Sequence, residues 1–132
     1  MLDLANPTVV QQSGSLYDPA VTNPNFYLYN SIMTNSNGDV LVGSTRLGKT
    51  ERINATASLL LDNASNFDTI LYTNSTTNFN PTDDIRTGGR YRWGDYSLVT
   101  IDPNDTTKFW VIEMYCSQTD TWGVEVAEVS VR

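Results

Sequence analysis

Asn30-Ser31-Ile32-Met33-Thr34 and Tyr96-Ser97-Leu98-Val99-Thr100 are two versions of one motif, set at an offset of 66. Each runs into a turn, Asn35-Ser36-Asn37-Gly38-Asp39 in the first copy and Asp102-Pro103-Asn104-Asp105 in the second. Each turn leads to an apolar run, Val40-Leu41-Val42 or Phe109-Trp110-Val111. Further on, residues 57–61 match 127–131 at an offset of 70, the longer second turn accounting for the drift. The outlying Val9-Val10-Gln11 matches Ile70-Leu71-Tyr72. Matches that keep their order along the chain describe one supersecondary unit used twice.

The unit is made of strands. Short runs rich in Val, Ile, Thr and aromatic residues, bounded by Gly, Pro, Asn or Asp, predict strands over 8–12, 31–34, 40–44, 56–61, 69–73, 97–101, 109–115 and 124–131. No window sustains a period near 3.6, so no helix is expected. The polar tract from Tyr72 to Asn80 reads as a loop. Four-stranded antiparallel units with this repeat are the blades of a β-propeller. An eight-stranded β-sandwich is the competing fold, and it leaves the repeat unexplained.

Composition narrows the chemistry. The chain has 132 residues, 39% hydrophobic and 17% charged, as in a single domain. No apolar stretch is long enough to span a bilayer, and no signal peptide is read at the N-terminus. Eight basic against 15 acidic residues give a net charge of −7, which repels a phosphate backbone, so no nucleic-acid partner is expected. Histidine is absent, which removes Ser-His-Asp triads and imidazole ligands. The single cysteine, Cys116, makes no intrachain disulfide and reads as an inert thiol. Counted from Asp102, the calcium-loop pattern fails at Thr107, where glycine is required, so no metal and no cofactor are expected. The turn Asn35 to Asp39 reads as hairpin chemistry, and the sequons beginning at Asn54, Asn63, Asn74 and Asn104 follow from an Asn-, Ser- and Thr-rich composition.

The segment Gly88-Gly89-Arg90-Tyr91-Arg92-Trp93-Gly94-Asp95-Tyr96-Ser97, followed by Asp102-Pro103, Phe109-Trp110 and Glu113-Met114-Tyr115, resembles the C-terminal blades of secreted sialidase-like, Asp-box-like β-propeller proteins. Residues 31–43 resemble the preceding blade, and the likeness covers roughly Asn25 to Arg132. It implies blade one over about 26–73 and blade two over about 96–132, with the outer strand of blade two missing from its C-terminal side. Two isolated blades leave apolar faces and strand edges open, and rotational symmetry closes them without further sequence. The expected fold is therefore all-β: two four-stranded antiparallel blades per chain, closed into a six-bladed β-propeller by homotrimerisation. Strand 8–12 of a neighbouring chain completes blade two. Four chains, or a fragment of a longer propeller, are the alternatives.

By the same resemblance, ligands meet the loops entering the first strand and leaving the second strand of each blade. That implies ligand-binding roles for Arg90, Arg92, Trp93 and Asp95 in one loop and Glu113 and Tyr115 in another, with Tyr27 and Arg46 at the matching places of blade one. Asn25, Phe26, Tyr29 and Thr45 are their neighbours there. Arginine forks suit carboxylates and aromatic faces suit sugar rings, so the expected partner beyond the chain itself is a glycan. The expected function is a non-catalytic, lectin-like module with no catalytic residues. The alternatives are a sialidase-like glycoside hydrolase, drawing on Asp83, Asp84, Asp95, Glu113 or Tyr96, and a purely structural assembly protein, for example in a phage particle. An extracellular or phage-associated setting is the corresponding expectation.

Overall fold

The computed structural model describes residues 5, 13–81, 93–95 and 97–131. The described residues contain strands and no helix, arranged as two antiparallel sheets. The first has the order β1 (Phe26–Thr34), β2 (Val40–Leu47), β3 (Asn54–Leu60), β4 (Asp68–Leu71). The second has the order β5 (Leu98–Ile101), β6 (Lys108–Gln118), β7 (Thr121–Ser130). The aligned segments of the repeat fall on corresponding strands, β1 with β5, β2 with β6 and β3 with β7. The expected strand 8–12 lies outside the described residues.

β1, β6 and β7 reach beyond their sequence signals for local reasons. β1 begins at Phe26 and not at Ser31, because a bulge between Leu28 and Ser31, with Tyr29 at φ 55°, breaks the alternation that marks a strand. β6 and β7 run on to a tight turn at Gln118–Thr121, where Asp120 takes φ 55°, so the polar run of residues 117–121 is a hairpin end.

Pleating assigns each residue to a face. In the first sheet Leu41, Gly43 and Thr45 pair with Leu59, Ala57 and Ala55, and this face meets the second sheet. In the second sheet the facing row is Val99, Val111 and Ala127, with Ile101, Phe109 and Val129 beside it. Leu41, Ala57, Val99, Phe109 and Val111 form one buried cluster that spans both sheets. Burying each of the Leu, Val and Phe side chains among them is worth about 1.5–3 kcal/mol. Gly43 sets the spacing: a Cβ there would sit 2.7 Å from Val111 Cγ2, 2.8 Å from Glu113 Oε1 and 3.0 Å from Val99 Cγ2. Hydrogen bonds stitch the sheets as well, from Val99 N–H to Ser31 Oγ (2.9 Å), from Thr45 Oγ1 to the Met114 carbonyl (3.0 Å) and from Cys116 N–H to the Ile53 carbonyl (3.0 Å).

The other face of the first sheet carries Val40, Val42 and Leu60, against which Leu16 and Phe67 pack. The β1–β2 turn is held by its own buried polar groups. Asn35 Oδ1 accepts from Asn37 N–H (3.0 Å) and Asp39 N–H (2.9 Å), while Asp39 accepts from Asn35 Nδ2 (2.9 Å) and Asp62 N–H (3.0 Å). The outer face of the second sheet is different. Leu98, Trp110, Trp122, Val124 and Val126 remain 36–55% exposed there, and among the described residues β7 pairs with β6 alone.

Candidate functional site

Tyr27 and Arg46 are cross-strand partners on β1 and β2, so these two expected site residues are brought together, though on strands and not in loops. Arg46 is already engaged. Its Nε and Nη2 each donate to Glu51 at 2.7 Å, across the β2–β3 turn, in a bidentate pair. That hydrogen bonding to Glu51, reinforced by Tyr27, holds the guanidinium above its ordinary pKa despite its burial. The fork expected to grip a ligand carboxylate is closed by the chain's own carboxylate.

Trp93 belongs to a second group. Its ring meets Phe79 edge-on with centroids 4.6 Å apart, and its Nε1 makes a long contact of 3.5 Å to Thr45 Oγ1. Gly94 follows at φ +63°, and a Cβ on it would lie 2.6 Å from the Tyr29 ring, so the aromatic ring lies directly on the glycine backbone. Gly94 N–H points at Met114 Sδ at 3.1 Å. Trp93 is half-buried and Asp95 is exposed. Thus the rings of Tyr29, Phe79 and Trp93, with the Met114 thioether, form an aromatic shelf where residues 93–95 meet β1 and β6. Arg90 and Arg92, expected in the same loop, lie outside the described residues.

Glu113 stands apart from this shelf, which corrects its expected place on a ligand-facing loop. It shares the parity of Phe109 and Val111 on β6, points between the sheets and is 1% exposed. Its Oε1 has no hydrogen-bond partner. Burial pushes the carboxyl up to about 8, because the charged form loses its water and gains nothing in return. Tyr72, packed on the same inter-sheet cluster, has an equally unpartnered hydroxyl. Burial, and then the nearby Glu113 and Glu125, raises its pKa far above the usual phenol value. Tyr115, on the same face of β6, packs its Cε1 within 3.1 Å of the Cβ position of Gly123, its cross-strand partner.

Comparison with protein-family models, with curated proteins and with solved structures returns no match to this chain.

A cavity that the sequence did not signal lies on the outer side of the first sheet. It encloses about 790 Å³ between residues 13–19 and residues 64–67, with Tyr27 and Thr69 on its floor. Its walls include Ser15, Tyr17, Ser65, Asn66 and Phe67. A second cavity of about 580 Å³, lined by Ile32, Val40, Leu60 and Phe67, continues it toward the β1 edge. Tyr17 and Phe67 are far apart in sequence and belong to segments with no periodicity, so only the folded chain places them on one groove. Among the described residues no group of three or more acidic or cysteine side chains could hold a metal ion.

Proposed function

We propose that this chain is a non-catalytic β-propeller module whose two sheets are adjacent blades, and that it binds glycans. Three copies close a six-bladed ring, and strand 8–12 of each copy completes the three-stranded sheet of its neighbour. The observation that carries this reading is the pairing of two like-ordered sheets, face to face, with an exposed apolar surface on the second and a β7 edge that has no strand partner among the described residues. An exposed face bearing Leu98, Trp122, Val124 and Val126 is a surface that favours contact with another protein face over water. A ring gives that surface a partner by symmetry and multiplies any weak binding site around its axis.

The aromatic shelf of Trp93 and Tyr29 supports glycan binding, since ring faces stack on sugars. Asp95 and Tyr115, with Arg90 and Arg92, complete the proposed loop-face set, while the Tyr27–Arg46 pair lies on the opposite face of the first sheet. Glu113 favours the non-catalytic reading over hydrolysis: a carboxyl buried between two sheets does not meet a glycosidic bond. Light scattering on a sizing column tests the ring. Three times the 14.7 kDa chain mass supports it, and a stable monomer overturns it. Replacing Val124 and Val126 by Asp should dissociate the assembly. An array of neutral, sialylated and uronic glycans tests the binding, and uniform silence on it leaves a structural role.

A further inference from the structure

We propose that the groove between residues 13–19 and 64–67 is a saccharide site selective for neutral sugars, distinct from the loop-face cluster at Trp93. The proposal rests on the glycan-binding reading above and names the ligand class and the place. Three observations carry it.

The first is the character of the walls. Tyr17, Tyr27 and Phe67 supply aromatic faces, while Ser15, Ser65 and Asn66 supply hydroxyl and amide groups. Among the described residues the side chains of Ser15, Tyr17, Ser65 and Asn66 have no hydrogen-bond partner of their own. A sugar ring presents an apolar C–H face and a rim of hydroxyls, so it matches walls of this mixed kind. A purely apolar ligand would leave the amide and hydroxyl groups unpaired.

The second is charge. None of the described lining residues is Lys, Arg, Asp or Glu. The nearest base along the sheet is Arg46, the cross-strand partner of Tyr27, and both arms of its fork are held by Glu51. With no cation among the described lining residues to receive a carboxylate or phosphate, an acidic sugar would lose its water there without compensation. The groove therefore selects against sialylated and uronic glycans.

The third is that the wall is anchored. Leu16 packs into the cluster of Val40, Val42 and Leu60. Asp18 accepts from Ala20 N–H (2.9 Å) and from Asn25 N–H (3.0 Å), which ties residues 13–19 to the start of β1. Residues pinned at Leu16 and Asp18 place the backbone of Tyr17 beside the groove, with its side chain 68% exposed, so less backbone has to be ordered on binding. A cavity of about 790 Å³ is within the range of small-ligand sites.

The test is a titration of the whole chain with N-acetylglucosamine trimer, glucose trimer and sialyllactose, followed by backbone-amide chemical shifts. At least one neutral trimer should bind, with shifts at residues 13–19 and 64–67. Tyr17→Ala and Asn66→Ala should each weaken that binding by about tenfold or more. Both side chains are exposed, so the unfolding midpoint should not move. Shifts confined to residues 93–95, with affinity unchanged in Tyr17→Ala, overturn the groove and leave the lectin reading standing. Preference for sialyllactose over both neutral trimers overturns the selectivity. No binding by any of the three removes the groove and the glycan reading together.

Discussion

Replacing Glu113 by Gln should remove most of the pH dependence of this protein's stability between about pH 4.5 and 8. The carboxyl is 1% exposed, lies against Gly43 from β2, and faces no cation among the described residues. The other titratable groups near it, Tyr72 from the first sheet and its cross-strand partner Glu125, are acids. Burial therefore raises its pKa from 4.5 to about 8. Below pH 4.5 the folded and unfolded chains both carry the proton, and the favourable contribution of the protonated side chain is fully present. Between the two values the unfolded chain releases the proton and the folded chain keeps it. Stability then falls by about 1.4 kcal/mol per pH unit. Across the window the loss is on the order of 3–5 kcal/mol, a large part of the roughly 5–15 kcal/mol that holds a domain together. The carboxylates held low by hydrogen bonds, Asp18, Asp102 and Asp105, act in the opposite direction and below this window. Urea denaturation at half-unit steps from pH 4.5 to 9 measures the slope. The wild-type chain should weaken steadily to about pH 8 and then level, and Glu113→Gln should be nearly flat. A wild-type chain equally stable at pH 5 and pH 8, or a Gln variant that falls as steeply, refutes the reasoning.

Two further outcomes follow from the packing. Gly43→Ala places a methyl 2.7 Å from Val111 Cγ2, so the sheets must separate, with an expected cost of about 1–3 kcal/mol by denaturant unfolding; an unchanged midpoint would show that Gly43 does not set the spacing. Asp39→Ala strips Asn35 Nδ2 and Asp62 N–H of their acceptor in a buried turn and should cost about 1–3 kcal/mol. Its signature is faster amide exchange at Asp62, and unaltered protection there would count against the turn's role.

Much of the fold is legible along the chain because strands bounded by turn residues depend on neighbours one or two positions apart. The runs at residues 40–44 and 109–115 lie on strands, as does 56–61 apart from Leu61, and the repeat places them at corresponding positions in the two sheets. Phe26 to Asn30 escaped this reading because a bulge interrupts the alternation that carries the signal. The candidate site is less legible. Arg46 reads as a free fork until the β2–β3 turn brings Glu51 onto it. Glu113 was legible in part: it alternates in phase with Phe109 and Val111, so its parity already set it on the core face, yet an acid there runs against composition-based expectation.

The sequence by itself determined an all-β chain of two like units, because strand propensity, turn chemistry and alternation are local and survive without knowledge of the partner sheet. Only the tertiary structure decided which faces meet, that Gly43 lets Val99, Val111 and Glu113 approach, and that Tyr17 and Phe67 share one groove. Those outcomes depend on contacts between residues far apart in the chain, and a buried carboxyl or an anchored wall exists only once such contacts have closed.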